Sequence, residues 1–390
     1  MTEIPDTQEQ LAQPIEQMAA IGVFDGVYSA FADVAKAKLR RNELVNGHIV
    51  SVELNPAAEF VQKRFDVARE EITRLDNTQV HANQVHDNFI NEAKIEASRE
   101  YGEKPTYIAT RLERANKVVG TFIDRATTMV EDGETDGLTV KTFFGSLDSL
   151  KIGLSLGYNN LVWKSDETVP DQAAKDKYAQ TVQSIYGSKP NVEEQHNGGF
   201  NHVNGERYLQ SGEKTTDRYY ISPKLNGEPG EVVRVWAETL DKLGLGEKLY
   251  YKVATGLAQR YETVIAYVSS ETAAETKQAI QAFSRKCPPD LLSETNMPSA
   301  VNIDKGISRA PEPEQLNTLL RYLGKGTVSY NELAAGLTEL ALRRASYDFV
   351  KQGLQPNQVT PKALAEAGKV YFVQFIKLAG LDPDKMQTVA

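Results

Sequence analysis

Apolar residues alternate spacings of four and three from Val61 through Phe65, Ala68 and Ile72 to Leu75, in a stretch from residue 57 to residue 100 without proline or glycine. That rhythm predicts a helix with a coiled-coil-like seam. It returns after Pro105 in Ala115, Val119, Phe122, Ala126 and Met129, and stops at Glu131-Asp132-Gly133. Together the two stretches predict a long antiparallel helical hairpin. Upstream, Asp6 to Asn46 reads as two helices broken near Gly22, so residues 1–133 are expected to form an all-helical domain.

From residue 134 the pattern shortens. Gly137, Gly145, Gly153 and Gly157 interrupt short apolar runs, and a helix is predicted over Gln172 to Tyr186. Gly187 to Asp217 shows no periodicity and reads as a long loop, a feature that in compact domains is usually functional or mobile. Strands at Arg218–Ser222, Lys248–Val253 and Glu262–Val268 then alternate with helices at Pro229–Leu243 and Glu271–Arg285. A loop-rich segment from Cys287 to Pro313 leads to helices around Pro313–Leu323, Tyr330–Gln352 and Pro361–Leu378. The expected fold class is α+β. Its second domain, residues 134–390, would be a mixed α/β core with a small, mainly antiparallel sheet and C-terminal helices.

Composition narrows the function. The 390 residues are 41% hydrophobic and 25% charged, which is a globular balance. A net charge of −9 disfavours nucleic acid and anionic lipid as partners. The start, MTEIPDTQEQ, lacks a basic and apolar leader, and no run of about 20 apolar residues occurs, so a soluble, cytoplasmic protein is expected. The same polar start suits an effector injected by a bacterial secretion machine. Cys287 is the only cysteine, which excludes an intramolecular disulfide or a cysteine zinc cage. Pro288 and Pro289 follow it and no histidine lies nearby in sequence, so a structural role is expected. Phosphate-loop, HExxH, CxxC and GxSxG signatures are absent, and His81 and His86 do not share a helix face. No metal and no cofactor are expected.

What remains is a gathering of basic and phenolic residues on strands. In Arg218-Tyr219-Tyr220-Ile221-Ser222 a period of two sends Arg218, Tyr220 and Ser222 to one face. In Leu249-Tyr250-Tyr251-Lys252-Val253 the lysine lies within an apolar strand, where burial would favour the neutral amine that acts as a base. The plainer reading is that the lysine snorkels and the arginines pair with Asp217 or Glu262. Two arginines with a lysine and a tyrosine nevertheless suit a phosphate.

The runs DRYYISPKLNGEP, KLYYKVATGLAQRYETVIAYVSS, GISRAPEP and GTVSYNELAAGLTELAL resemble the HopA effector family of plant-pathogenic bacteria and its relatives, among them the partner lyases of kinase-like proteins in lanthipeptide and thioamitide biosynthesis. The resemblance covers roughly Phe200 to Arg343. More distantly, the chain is similar to the phosphothreonine lyases, in which a K-x-H-I-S strand precedes a K-V-T strand and an arginine. The resemblance implies Lys252 as the base and Arg260 as a phosphate ligand. It sets Arg218 at the first lysine of those enzymes and Tyr220 at their histidine, with His202 as the reserve acid. Where related sequences carry an arginine after the serine-aromatic pair, this chain has Asn331, Glu332 and Leu333. Arg344, Arg343 or Arg309 would substitute if the fold brings them near.

The leading expectation is a metal-free phospholyase that β-eliminates phosphate from phosphoserine or phosphothreonine in a peptide or protein, leaving a dehydroamino acid. A kinase-like partner protein belongs to what the resemblance implies. The alternative is a catalytically inactive, effector-like protein that binds a phosphorylated or protein partner through the helical hairpin and basic pocket. A nucleotide-using transferase with Glu271 or Glu275 as its acid has only residue types behind it.

Overall fold

The computed structural model describes residues 18–36, 40–45, 48–53, 56–75, 82–102, 104–150, 170–195, 199–205, 214–258, 263–384 and 387–388. The chain forms two compact units, one of Met1–Tyr158 with Pro313–Ala390 and one of Asn159–Glu312. A division at 133/134 is therefore replaced by a helical unit, discontinuous in sequence, that takes the C-terminal helices with it.

In chain order the helical unit starts with α1 (Ala19–Lys36), β1 (Arg40–Val45), β2 (His48–Glu53), α2 (Pro56–Leu75), α3 (Ala82–Tyr101), α4 (Pro105–Glu131) and α5 (Gly137–Gly145). The second unit holds α6 (Gln172–Tyr186), β3 (Val192–Gln195), β4 (Phe200–Val203), β5 (Thr215–Ile221), α7 (Pro229–Leu243), β6 (Tyr251–Ala254), β7 (Val264–Ser269), α8 (Ala273–Lys286), β8 (Val301–Asp304) and β9 (Ile307–Pro311). The helical unit resumes with α9 (Glu314–Tyr322), α10 (Tyr330–Lys351) and α11 (Pro361–Leu378), and ends on the short pair β10 (Leu381–Asp382) and β11 (Gln387–Thr388). The architecture is α+β. No described helix is long and apolar enough to cross a membrane.

Three expectations for the N-terminal part are corrected. Helix α1 continues through Gly22, and Arg40–Glu53 forms a β-hairpin with Val45 opposite His48, so this part is not all-helical. The single helix expected over 57–100 is two, α2 and α3. The antiparallel hairpin is consequently α3 with α4. Gly102 joins them at a φ of +59°, in the left-handed region that glycine enters without strain. On α4 the buried residues are Ala115, Val119, Phe122, Ala126 and Met129, the stripe its rhythm predicts.

Helix α10 explains why the C-terminal helices side with the N-terminal ones. Leu333, Ala334, Ala335, Leu337, Ala341, Leu342 and Ala345 are all fully buried, so the helix needs neighbours around most of its circumference. It packs against α2 and α11, and a buried Arg64–Glu339 ion pair of 2.5 Å ties it to α2. Its start is set by a capping box: the Ser329 hydroxyl accepts from the Glu332 N–H, while the Glu332 carboxylate accepts from the Ser329 N–H. Ser329→Ala should lower stability by about 1 kcal/mol, read as a shift in the urea midpoint at unchanged slope.

The second unit is built on one seven-stranded antiparallel sheet of order β3-β4-β6-β7-β5-β9-β8. Helices α6, α7 and α8 cover one face, where Tyr178, Val182, Trp236, Leu240 and Phe283 meet Val203, Ile221, Tyr251, Val264 and Ile307 in one core. Trp236 packs edge-on against Tyr251 and Phe283 at centroid distances of 5.9 and 5.8 Å. The segment 187–217, expected to be a structureless loop, carries β3 and β4. The segment 287–313 carries β8 and β9.

Candidate functional site

The side-chain period of a strand places the site. Because Tyr251, Val253 and Ile221 go to the helix-covered core, Lys252 and Tyr220 go to the other face. Cross-strand partners share a face, and the register is His202 with Lys252, Lys252 with Ile265, Ile265 with Tyr220, and Tyr220 with Ser308. A row of His202, Lys252, Ile265, Tyr220 and Ser308 thus crosses the sheet from β4 to β9. The neighbouring row brings Arg218 opposite Tyr267.

Three aromatic contacts join the rows. The rings of Tyr250 and Tyr267 stack with centroids 4.4 Å apart. The Lys252 ammonium lies 5.3 Å and the Arg218 guanidinium 5.0 Å from the centroid of Tyr267, so one ring carries both cations. His202 Nδ1 is 3.0 Å from the Tyr250 hydroxyl.

The strand that presents His202 is fixed by its own end. Asn204 adopts a φ of +60°, a conformation asparagine tolerates better than most residues. From there its amide donates to the carbonyls of Gly246 and Leu249 at 2.9 and 2.8 Å, and its side-chain oxygen accepts from Asn191 at 2.6 Å. These bonds tie the end of β4 to the entry of β6. His202 and Tyr250 are held together as a result.

The electrostatics are uneven. Burial, and next to it the charge of Lys252, push the His202 imidazole down to about 4, so it is neutral at pH 7. A histidine with a depressed folded pKa opposes folding once the unfolded chain can take up the proton. Stability should therefore fall as pH drops from about 6.5 toward about 4, and His202→Gln should flatten that part of a urea-midpoint profile against pH. Arg218 is gripped by Glu312, with Nε to Oε2 at 2.6 Å and Nη2 to Oε1 at 2.7 Å. Burial alone would depress the Arg218 guanidinium, but the Glu312 carboxylate outweighs it and raises it further.

The other expected residues fare differently. Tyr220 shares the face but is 1% exposed, so its phenol does not meet a ligand in this state. Arg309 turns to the opposite face with Tyr219 and is paired with Asp217 at 2.7 Å, so it is no phosphate ligand here. Arg344 belongs to the helical unit, where its guanidinium holds Asp136 at 2.7 Å and Asp348 at 2.5 Å, 4.5 Å from the Tyr371 ring centroid. Arg343 lies in the same unit, paired with Glu339 at 2.9 Å. Arg260 lies outside the described residues. Cys287 is buried and its thiol is pushed up to about 11 by desolvation, which leaves it inert at neutral pH.

Sequence reasoning missed Tyr250, Tyr267 and Glu312. Tyr267 sits in Ile265-Ala266-Tyr267-Val268, which reads as plain apolar strand, and only the register against Arg218 reveals its place. Among the described residues, no group of three or more His, Cys, Asp and Glu side chains is placed to hold a metal ion.

No protein-family model and no curated protein matches the chain. Among solved structures, the chain is similar to an effector protein from Pseudomonas syringae pv. syringae strain 61 at 14% identity and a TM-score of 0.36, over 64% of this chain and 98% of that one. It is similar as well to an effector protein from Pseudomonas syringae pv. tomato strain DC3000, at 14% identity and a TM-score of 0.39, over 65% of this chain and 98% of the other.

Proposed function

We propose that the polar face of the seven-stranded sheet binds the phosphate of a phosphoserine or phosphothreonine side chain in a peptide or protein, and eliminates it to leave a dehydroamino acid. The observation that carries this reading is the cross-strand pairing of His202 with Lys252 on the face that also holds Arg218. In that chemistry the Lys252 amine takes the Cα proton, the Cβ–O bond breaks, and its electron pair leaves with the phosphate. His202 donates a proton to the bridging oxygen. The arriving dianion favours the imidazolium that this requires, and the Tyr250 hydroxyl 3.0 Å away holds the ring in orientation. Arg218, released from Glu312, and Arg260 would neutralise the phosphate. The motif resemblance supports the same roles for Lys252 and Arg260.

A second reading, binding of a phosphorylated partner without turnover, draws support from the Arg218–Glu312 clamp, which occupies both prongs of the guanidinium. Mass spectrometry separates the two. The full-length protein is incubated with phosphothreonine and phosphoserine peptides without metal or cofactor, and products that have lost phosphoric acid are sought. Product formation supports the lyase, whereas saturable binding with no product supports the second reading.

A further inference from the structure

The tip of the α3–α4 hairpin carries a different kind of site, within the helical unit. Tyr101, Thr106, Tyr107, Thr110, Arg114 and Tyr322 surround Arg111 in an open cleft of about 350 Å3. Tyr101 and Tyr107 stack with centroids 5.8 Å apart, and Tyr107 is 62% exposed. Arg111 lies between Tyr101 and Tyr322, 5.9 and 5.3 Å from their centroids, held by Glu100 at 2.5 Å and by the Arg321 carbonyl at 3.2 Å. Its Nε–H is buried and has no hydrogen-bond partner among the described residues. A lone buried donor of this kind costs free energy unless an acceptor reaches it.

Three more features point to an anion. Lys104 lies 5.9 Å from the Tyr107 ring centroid, and neither it nor Arg114 has a carboxylate partner among the described residues. Both stand out on a chain of net charge −9. Helix α4 starts at this cleft with no side-chain cap hydrogen bond and no acidic residue in its first turn, and a helix start of that kind favours an anion. Exposed tyrosines beside arginines are also the residue types that carry binding energy at protein interfaces.

We propose that this cleft docks an acidic segment of a partner protein that places an aromatic side chain against Tyr107, with its carboxylates on Arg114, Lys104 and the end of α4. The negative surface of the chain as a whole disfavours nucleic acid as the occupant. The site is independent of the sheet-face reading and uses none of its residues.

The test is fluorescence polarisation of the full-length protein with a labelled peptide carrying tryptophan between glutamates. Saturable binding is expected, and either Arg114→Glu or Tyr107→Ala should weaken it about tenfold, as is typical of hot-spot residues. Both side chains are exposed, so circular dichroism should show the fold unchanged. Equal binding of a peptide with alanine for tryptophan would overturn the aromatic part. No saturable binding, binding indifferent to both substitutions, or stronger competition from ATP than from unlabelled peptide would overturn the proposal.

Discussion

Replacing Lys252 with alanine should abolish the loss of phosphoric acid from a phosphothreonine peptide while leaving the protein folded. Removing a general base costs about 10² to 10⁴ in rate, and the residue contributes little to packing. Its strand neighbours Tyr251 and Val253 anchor β6 in the core, while the amine lies over the Tyr267 ring. Loss of that cation–π contact amounts to about 0.5–1 kcal/mol. Lys252→Arg keeps the charge and the ring contact but supplies no base, so it should retain phosphopeptide binding and still fail to turn over. Turnover at the wild-type rate in either variant would refute the elimination chemistry.

Arg344→Ala should do the reverse, acting on stability and not on phosphate. The guanidinium is 5% exposed and serves Asp136, Asp348 and the Thr139 hydroxyl. Truncating it should cost about 1.5–3 kcal/mol, the range of a charge-assisted hydrogen bond, because Asp136 and Asp348, with side chains 53% and 28% exposed, regain water when the arginine is gone. The cluster also fixes a pH dependence. Burial would raise Asp136, but the Arg344 charge and the Thr139 N–H outweigh it and hold the carboxyl below its usual value of 3.8. The stabilisation is thus present at neutral pH and is lost as pH falls below about 3.8 through the folded pKa. Urea unfolding of wild type and variant should show the gap at pH 7 narrowing on acidification. If Arg344→Ala instead leaves the midpoint unchanged and weakens phosphopeptide binding, the residue is a ligand after all.

The two outcomes mirror what could be read from the sequence. Helix α7 was legible to the residue because Pro229 at its first turn and Gly244 just beyond its end are strong local signals. The strands that complete the sheet were not. Val192-Glu193-Glu194-Gln195 and Val301-Asn302-Ile303-Asp304 are short, polar edge strands whose pairing is decided by their neighbours and not by their own pattern. The site followed the same division. Arg218, Tyr220 and Lys252 could be assigned to faces by counting twos, whereas the partners of the arginines depend on contacts that cross long stretches of chain. Glu312 reaches Arg218 from 94 positions away, and Asp136 reaches Arg344 from 208. For Arg344, position along the chain gave no sign of the Asp136 and Asp348 carboxylates that hold it within the helical unit.

The clamp on Arg218 bears on which ligands the sheet face can distinguish. A visiting anion meets a guanidinium already satisfied by a single negative charge with two well-formed bonds. A monoanion that displaced Glu312 would make an even exchange and would leave a carboxylate stranded. Only a dianion gains from the swap, so on the phosphate reading the face sorts ligands by valence before it sorts them by shape. A phosphate monoester should then outcompete a sulfate monoester of the same size, and Glu312→Gln should erase most of that preference.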